Sequence, residues 1–99
     1  MLELDINKFS AGKIFITAGV NDRIAEDKQF AEFVLRSVRR YLHCDWGDLD
    51  DEDKALNDAA LNTKFPDRLF SVYKNNEEKI WIITEYDRSY TTILFPSEY

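Results

Sequence analysis

The chain has little of what catalytic, metal-built or disulfide-built proteins are made from. It holds one cysteine, Cys44, and one histidine, His43, in 99 residues. A lone cysteine excludes an internal disulfide and points to a reducing cytoplasm. One histidine beside one cysteine is too few for a metal site, which usually takes four ligands. As neighbours on a helix the two side chains would point roughly 100° apart, so packing or a helix-end role is the expectation for both. Glycine and proline are scarce, at three and two residues, which leaves little room for linkers. There is no G-x-G-x-x-G fingerprint, no P-loop and no Ser/His/Asp set. No apolar stretch approaches the ~20 residues needed to cross a bilayer. The segment from Met1 to Phe9 carries acids where a secretory signal would have a basic start and an apolar run. The expectation is a soluble cytoplasmic protein with no cofactor, no metal and no membrane association.

What remains is ordinary globular material. A hydrophobic fraction of 44% with 32% charged residues is the balance of a folded protein, not a disordered one. Residues 1–99 are expected to form a single domain, near the common size for one core. The charge is unevenly placed. Asp45, Asp48, Asp50, Asp51, Glu52, Asp53 and Asp58 supply seven negative charges, with Lys54 the one base among them, so this segment carries the entire net charge of −6. Duplex-binding proteins show a basic patch instead, and direct nucleic-acid binding is not expected.

Periodicity supplies the architecture. Leu2, Glu3, Leu4, Asp5 and Ile6 alternate as a short edge strand would. Lys13 to Thr17 is rich in strand formers and ends near Gly19. From there, with Asn21 as N-cap, Ile24, Ala31, Val34, Leu35, Val38 and Leu42 recur at helical spacing and predict one long amphipathic helix over about 22–42. A shorter helix begins near Asp48 or Asp50, with Leu49, Leu56, Ala59 and Ala60 on its apolar face, and ends by Pro66. The last third reads as strands over 69–73, 80–84 and 91–95, joined by turns at Lys74 to Glu77 and Asp87 to Ser89. Strand, two helices and a three-stranded meander make an α+β fold, with an antiparallel sheet and the two helices on one face. In the run from Ile80 to Ile83, Ile80 and Ile82 point one way while Trp81 and Ile83 point the other. Two helices cover one face only. The second must be covered by the N-terminal segment, a partner, or a copy of the same chain.

Two groups of residues bear on function. Asp45, Trp46, Asp48, Asp50, Asp51, Glu52 and Asp53 form an acidic segment with an aromatic residue in it. Clustered carboxylates suit a calcium ion, yet adjacent acids with no glycine between them do not fit the loop that such an ion requires. A helix's first turn, where negative charge is stabilised by the dipole, is the plainer reading. A docking face for a basic partner stands between the two. Trp46 and Trp81 are expected as core anchors, with partial exposure as a contact residue the alternative for Trp46 in its acidic loop. Glu85, Asp87 and Arg88 place two carboxylates and a cation around a turn. That set could serve acid–base chemistry or simply pin the turn through an Arg–carboxylate bridge.

At the level of motifs the chain resembles a family of small, uncharacterised bacterial proteins of plasmids, conjugative elements and phages. The matching residues are Ile16-Thr17-Ala18-Gly19, Asp45-Trp46-Gly47-Asp48, Leu69-Phe70-Ser71, Ile80 to Glu85, Asp87-Arg88-Ser89 and Thr91 to Tyr99. Members carry labels such as plasmid-related protein or type I restriction endonuclease subunit M. A methyltransferase subunit needs a cofactor-binding domain and a catalytic motif, which 99 residues with three glycines do not supply. The resemblance therefore implies a mobile-element accessory protein, and it carries no active-site residues to transfer. The leading functional expectation is a non-enzymatic protein that docks on a protein of host defence or of the element's DNA handling. Its acidic face would imitate a phosphate array. The alternatives are a small enzyme built on Glu85, Asp87 and Arg88, and a module that pairs as a homodimer through its sheet face.

Overall fold

A computed structural model describes residues 7–99. The possible strand over 2–6 lies outside the described residues. The order of elements is β1 (Lys13–Ile16), α1 (Ala18–Glu26), α2 (Lys28–Leu42), α3 (Asp51–Ala60), β2 (Leu69–Asn75), β3 (Glu78–Thr84), β4 (Tyr90–Leu94) and a closing 3₁₀ turn, Pro96–Glu98. The fold is α+β, with one four-stranded sheet in the order β1-β4-β3-β2. The meander β2-β3-β4 is antiparallel as expected, whereas β1 runs parallel to β4. The sheet is thus mixed. Strand-forming residues reveal a strand, but its direction depends on where the intervening helices return the chain.

The predicted long helix is two helices. Asp27 leaves helical geometry at φ −141° and ψ 110°. Its carboxylate accepts from the backbone N–H of Gln29 at 2.9 Å and of Phe30 at 3.3 Å. Those bonds satisfy first-turn donors that a continuous helix would have paired. The same carboxylate meets Arg23 at 3.0 Å, and Arg23 also reaches Glu78 at 2.8 Å. The break therefore follows from a cap inside the periodic stretch. The N-cap position of α1 is Thr17, not Asn21.

The buried face of α2 comprises Phe30, Phe33, Val34, Ser37 and Tyr41. The spacing is helical, but the face is rotated toward the aromatic residues. Leu35 is 52% exposed, while Ile24, Val38 and Leu42 flank the core. Against this face the sheet presents Leu69 and Tyr73 of β2, Ile80 and Ile82 of β3, and Ile93 of β4, all nearly inaccessible to solvent. Hydroxyls cross the same layer as a chain. Thr91 Oγ1 donates to the Ala11 carbonyl at 2.7 Å, so it accepts from Thr84 at 2.7 Å, which in turn accepts from Tyr41 at 2.6 Å. Every oxygen in that chain is paired, which offsets the cost of burying it. Burial raises the Tyr41 phenol well above its ordinary pKa, and it stays a donor.

Two ends of the chain are latched by one carboxylate. Glu98 accepts from Thr17 Oγ1 at 2.7 Å and from Gly19 N–H at 3.1 Å, supplying from afar the cap that α1 lacks locally. A Cβ on Gly19 would lie 2.7 Å from a Glu98 oxygen, so a side chain there would push the Glu98 carboxylate aside. The segments Ile16 to Gly19 and Thr91 to Tyr99 thus meet in space.

Candidate functional site

The acidic segment is tied into the fold by several of its own carboxylates. Asp45 pairs with Arg40 through two hydrogen bonds, at 2.7 and 3.1 Å. The Arg40 side chain holds the Asp45 carboxyl below its usual pKa. Asp48 accepts from the Lys74 N–H of β2 at 2.9 Å, and Asp50 is the N-cap of α3, accepting from Asp53 N–H at 2.8 Å. Asp58 accepts from the Trp46 indole at 2.9 Å. Trp46 itself is 3% exposed, packed against Tyr41 and Phe9. The core-anchor reading holds: the indole N–H finds a carboxylate twelve residues on, and the ring completes the core. The alternative of partial exposure is not found. Asp51, Glu52 and Asp53 remain, exposed in the first turn of α3. Among the described residues no three of His, Cys, Asp or Glu gather into a potential metal site.

His43 ends α2, and its Nδ1 lies 2.7 Å from the Arg39 carbonyl. Cys44 follows with φ 63°. Burial pushes its thiol up from its ordinary pKa, away from the thiolate that nucleophilic chemistry uses. In the β3–β4 turn, the Arg88 guanidinium donates to the carbonyls of Asp67 at 2.7 Å and Ala60 at 2.8 Å, and more distantly to those of Glu85 and Tyr86. Asp87 accepts from the Ser89 N–H at 3.0 Å and from its hydroxyl at 2.6 Å. The turn is pinned, but by Arg–carbonyl bonds. Arg88 ties it to the end of α3, and the Arg–carboxylate bridge between neighbours does not form.

The outer face of the sheet is the region that local patterns left open. It carries Phe70 and Val72 of β2, Trp81 and Ile83 of β3, and Tyr90, Thr92 and Leu94 of β4, paired across the strands as Phe70 with Ile83 and Trp81 with Leu94. Its cover is partial and comes from the C-terminal end. The Tyr99 ring stands edge-on to Trp81 at 5.6 Å, and Trp81 meets Phe70 at 5.1 Å. Arg68 reaches over this strip with only long contacts, at 3.4 and 3.5 Å to the Tyr99 hydroxyl and 4.0 Å to Glu85. Three shallow depressions share Arg68 in their walls. One of about 210 Å³ adds Phe70, Trp81, Ile83 and Tyr99. Another, of about 370 Å³, runs beside α3 between Asp53, Leu56, Asn57 and Phe70. The third, of about 210 Å³, extends toward Glu85 and Tyr90. Leu56 and Ala59, expected on the apolar face of α3, are exposed instead, Leu56 at 63%. Local patterns missed Arg68 and Tyr99; the apolar residues on both sides of β3 were the available signal.

Among the described residues, no helix is long and apolar enough to cross a membrane. No known family model, curated protein or solved structure matches the chain.

Proposed function

We propose that this protein is a non-enzymatic docking module. It seats a basic partner protein along the groove that joins the start of α3 to the outer face of the sheet. The observation that carries the reading is continuity. Asp53 and Leu56 share a depression with Phe70, and Phe70 shares the next one with Trp81 and Tyr99. An aromatic floor beside an acidic rim is the usual anatomy of a protein-binding surface: buried rings supply affinity, and rim charges steer encounter. The acidic contribution narrows from the whole segment to Asp51, Glu52 and Asp53, because the other carboxylates hold the fold. The setting implied by the family resemblance belongs to the same proposal: a cytoplasmic accessory protein of a plasmid, conjugative element or phage, acting on a host-defence or DNA-handling protein.

The test compares three immobilised chains in a bacterial lysate: wild type, Trp81→Ala, and the triple variant Asp51→Lys, Glu52→Lys, Asp53→Lys. Asp50 is left in place so that the helix cap survives, and the melting temperature of each variant is measured beside binding. Proteins retained by the wild type, released by salt and lost from both folded variants support the reading. Retention of the same proteins on all three chains, insensitive to salt, removes it.

A further inference from the structure

The two edges of the sheet are finished differently. On β2 four outward-facing groups between Phe70 and Lys74 are paired. The Asn57 side chain donates to the Phe70 carbonyl at 2.8 Å and accepts from its N–H at 3.1 Å, in the manner of a neighbouring strand. The Val72 carbonyl accepts from Asp48 N–H at 2.7 Å, and Lys74 N–H donates to the Asp48 side chain at 2.9 Å. On β1 the ladder to β4 uses alternate residues. Lys13 N–H bonds the Ser89 carbonyl at 3.2 Å and Thr17 N–H the Ile93 carbonyl at 3.1 Å. In a parallel pair such bonds belong to residues 13, 15 and 17. The N–H and C=O groups of Ile14 and Ile16 therefore point away from the sheet, and no described residue pairs with them. Their side chains, with that of Phe15, are 46%, 42% and 52% exposed, respectively. An open apolar edge of this kind is a template for another strand.

We infer that the β1 edge pairs antiparallel with the β1 edge of a second copy of this chain, joining two four-stranded sheets into one of eight. Complementarity selects the occupant and the register. With a two-fold axis passing at Phe15, Ile14 of one copy faces Ile16 of the other. The pair exchanges both hydrogen bonds, as does its symmetry mate, and all eight outward groups are satisfied. Centring the axis on Ile14 would set Ile16 against Gly12, whose φ of 64° takes it out of strand geometry. Centring it on Ile16 would set Ile14 against Ala18, which is already in α1. The register at Phe15 places the two Phe15 rings side by side on the outer face, each already edge-on to its own Tyr90 at 5.8 Å. It sets Lys13 opposite Thr17 and keeps the two Lys13 side chains about 13 Å apart along the strands. The acids also stay clear. Asp48 is bonded to β2 at the far edge, three strand spacings or about 14 Å away, so the excess negative charge does not fall on the contact.

Sedimentation of the full chain across micromolar to millimolar concentration tests this, beside the variant Ile14→Pro. Proline at an edge removes the outward N–H and blocks the approach while sparing the bonds to β4. The expected result is a concentration-dependent dimer in the wild type, with a dissociation constant raised at least roughly tenfold in the variant. A second variant, Ile16→Lys, keeps every main-chain group and sets a cation on the edge. It should give the same loss, and it substitutes for the proline variant if that chain does not fold. A wild type that stays monomeric throughout overturns the inference, as do variants that dimerise like the wild type. Pairing of the β1 edge with a foreign strand but not with itself would also overturn it.

Discussion

The β2 edge and the β1 edge belong to one sheet and are treated in opposite ways. At β2 the chain devotes a glycine, a buried asparagine and an aspartate to imitating a fifth strand. At β1 it places three apolar residues in the open and, among the described residues, covers none of their outward backbone groups. The difference teaches that closure of a sheet edge is a matter of long-range side chains rather than of strand composition. Both strands are rich in β-formers. Only one has partners delivered to it, by α3 and by the Trp46–Asp48 connection.

The comparison breaks first at Gly47. Its φ is 73°, and an added Cβ would lie 2.2 Å from the Val72 carbonyl oxygen. Gly47→Ala should destabilise the protein by about 2–5 kcal/mol, combining left-handed strain with a backbone clash. Urea unfolding reads the loss, and a change near zero would mean that the bridge to β2 is dispensable. Asn57→Ala comes next. It leaves the Phe70 N–H and carbonyl without their side-chain partner and should cost about 1–3 kcal/mol, again by urea unfolding. Asn57→Asp should recover only the half of the pairing that accepts from Phe70 N–H.

Acid sharpens the picture more gently. The Asp45 carboxyl is held low chiefly by the Arg40 side chain, and that of Glu98 chiefly by Thr17. A carboxyl depressed in the folded state stabilises it above the unfolded value of about 4. That contribution fades as pH falls through the lower folded value. The melting temperature should therefore be level from neutral pH to about 5 and decline below about 4. In Arg40→Gln the part of this decline due to Asp45 should shrink. The smallest effect belongs to the open edge. Ile14→Thr, a β-branched exchange at an exposed strand position, should shift monomer stability by no more than about 0.5 kcal/mol. A larger loss would show that something in the chain already rests on β1.

Much of this fold could be read from the chain itself, and the misses share a cause. The meander was legible because three runs of strand formers lie between Leu69 and Leu94, separated by turns that carry Asn76 and Arg88, both at positive φ. The helical stretch was legible as well. Its break at Asp27 was not, since the apolar spacing runs on past a cap whose bonds are local to three residues. Trp46 is a core anchor, as its size suggests, but the partner of its indole N–H could not be read from its polar neighbours because that partner, Asp58, lies on α3. The parallel direction of β1 has no local signature at all. Of the site, the acidic start of α3 was visible in composition, and the second apolar face was visible in the run from Ile80 to Ile83. Arg68 and Tyr99 could not be placed there, because the strip forms only when the C-terminal turn folds back over Trp81.

Residue-resolved amide hydrogen exchange at two protein concentrations examines both edges in one experiment. The amides of Phe70 and Lys74 should be protected to the same degree at micromolar and millimolar chain. Those of Ile14 and Ile16 should exchange quickly in the dilute sample and slow markedly in the concentrated one. Ile14 and Ile16 amides that exchange at one rate in both samples, whether fast or slow, would contradict an edge left open for a second copy.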